Sequence, residues 1–416
     1  MNQIIKFKLE IIIFFFFFIT RFLFIKISGF DNFELQLDSY WYSEQSNEVL
    51  KGNFNLARPL FIPAPFFSYF QALVKFIFSS FWMSALENLQ ILISSISGIF
   101  FFKLSILLFK EKQTAILSTI LFCFYPVTLW WVGTFAQEIW FQSFLIIFFY
   151  YFMRSLVENS LRLLIISAII FSLTFLTKSH ILLFSVFIPL IILLKRNLLF
   201  FKKLKFILVF VTISLISTLP YGIYNLAVNN VYALSSSGMG GSFLIGNNED
   251  AYLNFVKLDE ITLEQKKRFS SVEFLIFEKI KLRLKNKSQP EMQKIYFEEG
   301  LKWIKLNPKK AMDLKIHHTK LFFTPGVSSY WHSFTKWIAS LIISGPLYLF
   351  AYISIFYCLK NKFRENIWIL GLMISMFLFT IIFYYSARFI AVTLEPYYII
   401  FASDLLIRIK NKFIKT

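Results

Sequence analysis

The sequence has little charge and almost no cysteine. Only 16% of its 416 residues are Asp, Glu, Lys or Arg, whereas soluble domains carry about a quarter. A chain with so little polar surface cannot face water all round, which excludes an ordinary soluble domain. The two cysteines, Cys123 and Cys358, lie in separate apolar runs, and we expect them to be packing residues instead of a disulfide or a metal site.

What the chain has instead is long apolar blocks, since 57% of its residues are hydrophobic. About 20 consecutive apolar residues cross the hydrocarbon layer as a helix, which satisfies every backbone hydrogen bond internally. The pattern therefore predicts an all-α polytopic membrane protein with about ten spans. The predicted spans lie near 9–27, 86–109, 114–132, 139–153, 162–177, 181–194, 205–222, 336–358, 366–385 and 389–407. We interpret Pro65–Phe81, which is also apolar, as an interfacial helix on the outer membrane surface.

The chain has a net charge of +19, and many of its Lys and Arg residues lie in short loops between the predicted spans. This distribution does not indicate a nucleic-acid partner. Clusters such as Lys360/Lys362/Arg364 and Arg408/Lys410/Lys412/Lys415 are typical of cytoplasmic loops. With ten spans, this rule puts both termini inside and the long polar segments outside. No small-x-small cleavage site follows the first apolar block, so we expect an uncleaved first span.

This topology divides the chain into three parts. Residues 1–222 form an N-terminal transmembrane core that includes a first outer loop with interfacial helices at 28–85. Residues 223–335 form a small, mainly helical outer domain, and residues 336–416 form the C-terminal transmembrane helices. Capping-box spacing and Asn307-Pro308 predict outer helices near 262–286, 291–306 and 308–323. We expect His317 and His318 to be surface residues.

The sequence lacks several common catalytic motifs. It has no Walker-type glycine loop, no Cys/His metal spacing and no Gly-x-Ser-x-Gly elbow. The cytoplasmic loops are too short to form a site, so an enzyme of this kind would act on the outer face. Nucleotide sugars are absent there, and its activated substrate would arrive attached to lipid.

Two acidic residues are candidates for chemistry. Asp38 follows the first span and opens a predicted helix that carries Tyr42 one turn later. It could act as a general base, although spacing alone favours a plain helix N-cap. Glu138 stands at the head of an apolar segment, where an acid is costly and often functional. An exposed carboxylate at a helix N-terminus explains it equally well.

Three basic residues, Lys178, Lys320 and Arg388, lie on the predicted outer side near span ends, against the positive-inside trend. A side chain that reaches the head groups explains Lys320 well. A lipid phosphate needs cations at that height, and an arginine can bind it through two parallel hydrogen bonds. The alternative is a side chain that reaches the head groups. Arg388 lies between two predicted span ends that are joined by almost no loop, and this position favours a functional role for it.

Segments spread over most of the chain resemble one superfamily. Leu37-Asp38-Ser-Tyr40, Val49-Leu-Lys-Gly52 and Arg58-Pro59 resemble an Asp-x-x-Tyr…Gly…Arg-x-Pro opening. The other matching pieces are Phe175-Leu-Thr-Lys178, Leu219–Asn225, Ser235–Gly241, Gly246-Asn247-Asn248, and Ser386-Ala-Arg388-Phe with Glu395-Pro396. Together they resemble the GT-C membrane glycosyltransferases that use polyprenyl-phosphate sugars. The chain is most similar to bacterial relatives of the dolichyl-phosphate-mannose protein mannosyltransferases (family 39) and to the aminoarabinose transferases.

The resemblance implies a GT-C-like helical bundle and assigns roles to individual residues. Asp38 would activate an acceptor hydroxyl, and Glu138 would be a second acid of the site. The implied substrate-binding residues are Tyr42, Arg58, Lys178, Arg388 and Asn247, of which Lys178 and Arg388 would hold the lipid phosphate. Lys178 stands where Arg is usual, and Tyr224 stands where Arg is frequent, which weakens the phosphate assignment.

The resemblance also implies the setting of the reaction. The donor would be a polyprenyl-phosphate sugar, and the acceptor a glycan, lipid or protein outside a bacterial plasma membrane. We assign no cofactor and no metal, because the first loop has no Asp-x-Asp pair.

Two other readings remain. A flippase or transporter for lipid-linked glycans would share the spans and basic loops but should show internal repeats and broken helices. A polymerase or ligase of surface polysaccharide would differ only in the size of its donor.

Overall fold

A computed structural model describes residues 3–29, 35, 38–58, 60–196, 198–256, 275–326 and 334–414. Within these residues the backbone is nearly all helical, and an isolated antiparallel β-bridge joins Ile62 to Ser237. The predicted all-α fold is confirmed. Both cysteines are free and buried, in agreement with a packing role.

The described chain up to residue 229 contains the helices that form most of the bundle. They are α1 (Gln3–Ser28), α2 (Asp38–Leu50), α3 (Phe66–Phe78), α4 (Trp82–Phe109), α5 (Lys112–Cys123), α6 (Pro126–Gly133), α7 (Glu138–Glu158), α8 (Leu161–Thr177), α9 (Leu182–Ser185), α10 (Phe187–Leu193) and α11 (Phe200–Asn229). Local sequence sets their ends. Asn159 ends α7 in a left-handed conformation, and the hydroxyl of Ser160 accepts a hydrogen bond from the Leu163 N–H at the start of α8.

The rest of the described chain forms the segment predicted to lie outside the membrane (223–335), called the outer segment below, and the last apolar helices. They are α12 (Met239–Ile245), α13 (Glu249–Val256), α14 (Leu275–Leu284), α15 (Gln289–Leu306), α16 (Pro308–Phe323), α17 (Phe334–Ile382) and α18 (Ala387–Ile414). The predicted capping box is present, because Ser288 and Glu291 bond each other's backbone at the start of α15. The predicted helices at 291–306 and 308–323 are confirmed. Most of the one predicted at 262–286 lies outside the described residues.

The number of spans differs from the ten predicted. Among the described residues, six helices are long and apolar enough to cross a membrane, and the pair α5–α6, bent by 48°, would make a seventh. Each predicted segment is nevertheless helical. The difference arises because α8 and Ser179–Leu193 are short, and because α17 runs for 49 residues through a non-helical backbone at Lys362 that separates two helices.

The segment predicted to lie at the interface is a helix of its own. α3 and α4 together cover 44 residues, more than twice the roughly 20 needed for one crossing. Ser79 has a φ of 47° between them, which interrupts the helix. Leu73, Phe76 and Ile77 on α3 are exposed, as expected of a helix with one face on lipid.

Two helices form the centre of the bundle. In the most apolar windows of α7 and α18, 89% of the residues are buried inside the protein, against 22% for α1 and α11. α7 begins with Glu138 and α18 begins with Ala387-Arg388. A candidate site residue therefore lies at the N-terminus of each of these two helices, where the helix dipole has its partial positive charge.

One expectation about the outer segment is wrong. His318 is fully buried, because it lies on the face of α16 that also buries Leu314 and Leu321. The edge of its ring meets Phe255 of α13, with 5.0 Å between ring centroids. His318 has polar neighbours in the sequence, which predicted exposure, but its packing against α13 buries it.

Candidate active site

Four charged side chains predicted as site residues meet at one end of the bundle. The guanidinium of Arg388 forms an ion pair with Asp38 Oδ2, and its Nη1 lies 3.7 Å from Glu138 Oε1. The ammonium of Lys178 donates a hydrogen bond of 2.8 Å to the same Glu138 oxygen. The chain therefore brings together residues separated by up to 350 positions.

Helix ends place these four groups. Asp38 and Glu138 are the first residues of α2 and α7, and Arg388 is the second residue of α18. Lys178 follows the last residue of α8, where its extended backbone (φ −145°, ψ 117°) ends the helix. Because α7 and α8 run in opposite directions through a short connection, the end of α8 lies beside the start of α7.

The cluster has a buried half and an accessible half. The side chains of Lys178 and Glu138 are each 2% exposed, whereas those of Arg388 and Asp38 are 40% and 45% exposed. Removing both charges of the Lys178–Glu138 pair from water costs free energy, and only a close, well-oriented contact between them offsets that cost. A ligand that approaches the cluster would meet Arg388 and Asp38 first.

Electrostatics keep Asp38 ionised. Partial removal from water raises the pKa of its carboxyl, but the charge and hydrogen bond of Arg388 outweigh that effect and hold the pKa below its usual range. Two carboxylates and two cations sum to a formal charge of zero. The resting cluster is thus self-neutralised.

Tyrosines flank the carboxylates. The pKa of Tyr42, one turn after Asp38, is raised well above its usual value by burial and then by the charges of Asp38 and Glu138. Burial raises the pKa of Tyr384; the charge of Arg388 opposes this rise, and the charges of Asp38 and Glu138 add to it. Tyr384 was not a predicted site residue, although its position four residues before Arg388 was a usable signal.

Arg58 lies outside the ion-paired group. Its guanidinium stacks on the Trp41 ring, 3.6 Å from the ring centroid, and its Nη2 lies 3.4 Å from the Trp41 carbonyl oxygen. Tyr42 is close enough to influence its pKa, which burial lowers. The structure therefore places Arg58 against α2, at the margin of the site.

Asn247 is a fully buried residue that holds backbone. Its amide donates hydrogen bonds to the carbonyls of Phe243 (2.7 Å) and Ile382 (3.1 Å). Ile382 ends α17, just before the connection that leads to Arg388. Gly246 packs against the same connection, since a Cβ there would overlap the carbonyl oxygen of Phe383. The helix α12 ends directly before Gly246.

The residues that dock α2 were not predicted from the sequence. The ammonium of Lys75 on α3 donates to the carbonyl and hydroxyl of Ser43 (3.0 and 2.9 Å) and to Asn47 Oδ1 (2.6 Å). Ser68 donates a hydrogen bond of 2.7 Å to Gln45 Oε1. A lysine inside an apolar helix was the available signal, because such a cation needs internal acceptors.

An aromatic support lies behind the cations. The Lys178 ammonium is 4.2 Å from the centre of the Phe389 ring, within the range of a cation–π contact. The His180 ring stacks on the Phe389 ring with 4.9 Å between centroids, and its Nε2 lies 3.2 Å from Thr393 Oγ1. These contacts fix the start of α18 next to the end of α8.

The carboxylates of the cluster are engaged by cations of the protein. Among the described residues, no group of three or more His, Cys, Asp or Glu side chains is placed to hold a metal ion. The two carboxylates present are each paired with a cation of the protein.

Comparison with known families agrees with the resemblance inferred from the sequence. Residues 62–224 match the family model described as dolichyl-phosphate-mannose-protein mannosyltransferase. This segment contains Glu138 and Lys178. None of the curated proteins searched matches the chain.

Solved structures of an archaeal oligosaccharyltransferase from Archaeoglobus fulgidus share the fold. The apo form has a TM-score of 0.56 at 14% identity and matches 99% of this chain and 51% of its own. The complex with an inhibitory peptide and a dolichol-phosphate has a TM-score of 0.51 at 16% identity, covering 90% and 46%. A form tethered to an acceptor peptide has a TM-score of 0.53 at 14% identity.

This chain therefore spans about half the length of the structures it matches. At such low identity the likeness concerns the fold. With the family match, it confirms the resemblance to the GT-C membrane glycosyltransferases.

Proposed function

We propose that this protein is a glycosyltransferase that moves a sugar from a polyprenyl-phosphate donor to an acceptor hydroxyl by an inverting single displacement. One observation carries the proposal: Asp38 and Arg388, a candidate base and a candidate phosphate cation, meet at an accessible end of the bundle. The family match over residues 62–224 supports the reaction class. An oligosaccharyltransferase of the same fold has been seen with a dolichol-phosphate, which supports a lipid-linked donor.

The proposed reaction assigns a step to each half of the cluster. The donor phosphate lies against Arg388, which stabilises the charge that develops as the bond between the anomeric carbon and the phosphate oxygen breaks. An acceptor hydroxyl attacks the anomeric carbon from the opposite side and gives its proton to Asp38. The products are the glycosylated acceptor and a polyprenyl phosphate.

Lys178 and Glu138 support that step from the buried side. Glu138 Oε1 accepts from Lys178 and lies 3.7 Å from the Arg388 guanidinium, so it helps to fix both cations. Lys178 would add positive charge behind the phosphate. Asn247 is proposed to hold the connection before Arg388 in place. Tyr42 and Arg58 are proposed to bind the substrates at the edge of the site.

The proposed reaction needs no metal or other cofactor. The cations of Arg388 and Lys178 can balance the phosphate charge, and the paired carboxylates leave no open donor set. Transfer measured after chelation with EDTA should proceed at the untreated rate. A loss of activity that Mg²⁺ or Mn²⁺ restores would contradict this part of the proposal.

The proposed location is a bacterial plasma membrane with the site on its outer face. The support is the excess of Lys and Arg in short loops on the opposite side of the predicted topology. The donor would reach the site from within the bilayer, and the glycan, lipid or protein acceptor would come from outside. Nucleic acid has no role in this scheme.

One feature favours the alternative of a flippase for lipid-linked glycans. The pair α5–α6 is a broken apolar segment bent by 48°, and broken spans are common in transporters. Pro126, the first residue of α6, accounts for the break. At this break the Cys123 carbonyl, at the end of α5, accepts a hydrogen bond (2.9 Å) from the buried Arg21, which also donates to Ser94 (3.0 Å). The break is thus held together by contacts within the protein.

The experiment that tests the proposal measures transfer of label from polyprenyl-phosphate sugars to an envelope fraction by the purified protein. Asp38→Asn should lower the rate by about 10²–10⁴-fold, the usual contribution of a general base. Glu48→Gln is the matched control, because Glu48 is an exposed carboxylate on the same helix whose cation partner is Lys51. Movement of lipid-linked sugar across the membrane without a new glycosidic bond would favour the flippase instead.

A further inference from the structure

The two accessible residues of the cluster occupy each other. Arg388 gives its Nη1 to Asp38, and the same nitrogen lies 3.7 Å from Glu138. Glu138 is already neutralised by Lys178 in a pair that is 2% exposed on each side. In the resting cluster, the charges of Asp38 and Arg388 are therefore paired with each other.

We infer that the Asp38–Arg388 ion pair is an autoinhibitory contact, and that the phosphate of the lipid donor opens it and so releases the base. This inference rests on the proposed function, since it gives these residues the roles of base and phosphate cation. It adds an order to the reaction: the donor binds first, and the site acts on an acceptor only afterwards.

The exchange follows from the chemistry of the groups. A guanidinium presents a planar fork of N–H donors that fits a phosphate through two parallel bonds. Asp38 can give up its contact because its side chain is 45% exposed and water can solvate it. Lys178 and Glu138 stay paired, because separating them would leave two uncompensated buried charges.

Release changes the strength of the base. In the resting state Arg388 holds the pKa of Asp38 below its usual range, against the effect of partial burial. Once a phosphate neutralises Arg388, the cluster gains one negative charge and the carboxylate loses its hydrogen-bonding partner. Both changes raise the affinity of Asp38 for the acceptor proton, and they occur only with donor in place.

The proposed contact predicts how loss of the Asp38 charge changes the affinity for phosphate. If Asp38 competes with phosphate for Arg388, removing its charge should strengthen phosphate binding. We expect Asp38→Asn, measured on the full chain in nanodiscs, to bind a sugar-free polyprenyl phosphate up to about 5-fold more tightly, as suits a partly exposed ion pair. Polyprenol without phosphate measures the part of affinity that comes from the tail, and it should bind parent and variant equally.

Two further variants complete the design. Arg388→Gln should weaken binding of the polyprenyl phosphate at least about tenfold, the loss of a charge-assisted bidentate contact. Glu48→Gln removes a carboxylate from α2 without touching the cluster and should leave binding unchanged. Thermal unfolding of each variant in the same nanodiscs checks that the fold is intact.

The possible results separate the inference from the proposed function. Tighter phosphate binding by Asp38→Asn together with lost transfer supports both. Equal or weaker binding with lost transfer overturns the autoinhibitory contact and leaves the proposed function standing. Transfer at the parental rate by Asp38→Asn, or normal phosphate binding by Arg388→Gln, would overturn the proposed function itself.

Discussion

Asp38 and Arg388 are 350 positions apart in the chain and form an ion pair at the end of the bundle where α7 and α18 begin. Both are the accessible members of a four-residue cluster whose other half, Lys178 and Glu138, is buried. This arrangement brings the proposed base and the proposed phosphate-binding cation into one place.

The buried pair Glu138–Lys178 should behave as a unit. Glu138→Gln alone leaves an uncompensated ammonium in a site 2% exposed, and we expect a loss of about 3–5 kcal/mol in unfolding free energy. The double variant Glu138→Gln/Lys178→Met removes both charges and should recover most of that loss. Unfolding in detergent, followed for both single variants and the double variant, measures the coupling; additive effects would contradict a direct pair.

The connection before Arg388 should not tolerate a side chain at Gly246. A Cβ there would overlap the carbonyl oxygen of Phe383, so Gly246→Ala should displace the start of α18. A misplacement of about 1 Å can lower a rate about 10²-fold, and we expect a fall of that order in transfer. Gly345→Ala is the control, because the nearest atom to its Cβ, Leu341 Cδ1, is 3.8 Å away. Equal activities of the two variants would contradict the role of this packing.

Asn247 acts on the same connection and offers a milder test. Asn247→Ala removes the hydrogen bond to the Ile382 carbonyl without adding bulk. If Asn247 positions Arg388, the variant should raise the KM for the donor and leave the affinity for the acceptor unchanged. An altered acceptor affinity with a normal donor KM would indicate direct substrate contact instead, which is the role the resemblance implied.

The outer segment should lose stability as the pH falls, because of His318. Burial, then the charges of Lys315 and His317, lower the pKa of His318 to about 3, against the influence of the Thr380 carbonyl. A base with a depressed folded pKa contributes stability that is present above its unfolded pKa of about 6.5 and is lost as the pH falls toward the folded value. At pH 5 this linkage costs about 2 kcal/mol.

The matching variant is His318→Phe, which keeps an aromatic ring beside Phe255 and removes the titrating group. Thermal unfolding between pH 7 and pH 5 should show a smaller downward shift for the variant than for the parent. Parallel curves would mean that His318 is not buried in its neutral form.

Sequence patterns predicted the helices well where local chemistry decides. The capping box at Ser288 and the Asn307-Pro308 start gave α15 and α16 within a few residues. The apolar blocks predicted where helices lie but not how many cross, since α8 is short and α17 contains a non-helical break at Lys362. Length and composition do not record such breaks.

The candidate site was predicted in part. Membrane topology and the family resemblance put Asp38, Glu138, Lys178 and Arg388 on one side, and the structure brings them into contact. Their pairing could not be predicted, because it depends on which helix ends become neighbours. The partner of Asn247 lies 135 positions away, so its backbone contacts were also beyond local sequence. The catalytic and binding roles of these residues stay predictions.

The most direct test of the account is a structure of the protein in lipid with a bound polyprenyl phosphate. We expect its phosphate within hydrogen-bonding distance of the Arg388 guanidinium, with Asp38 released from that contact and turned toward the acceptor side. A phosphate bound elsewhere in the protein, with the Asp38–Arg388 pair intact, would contradict the proposed site.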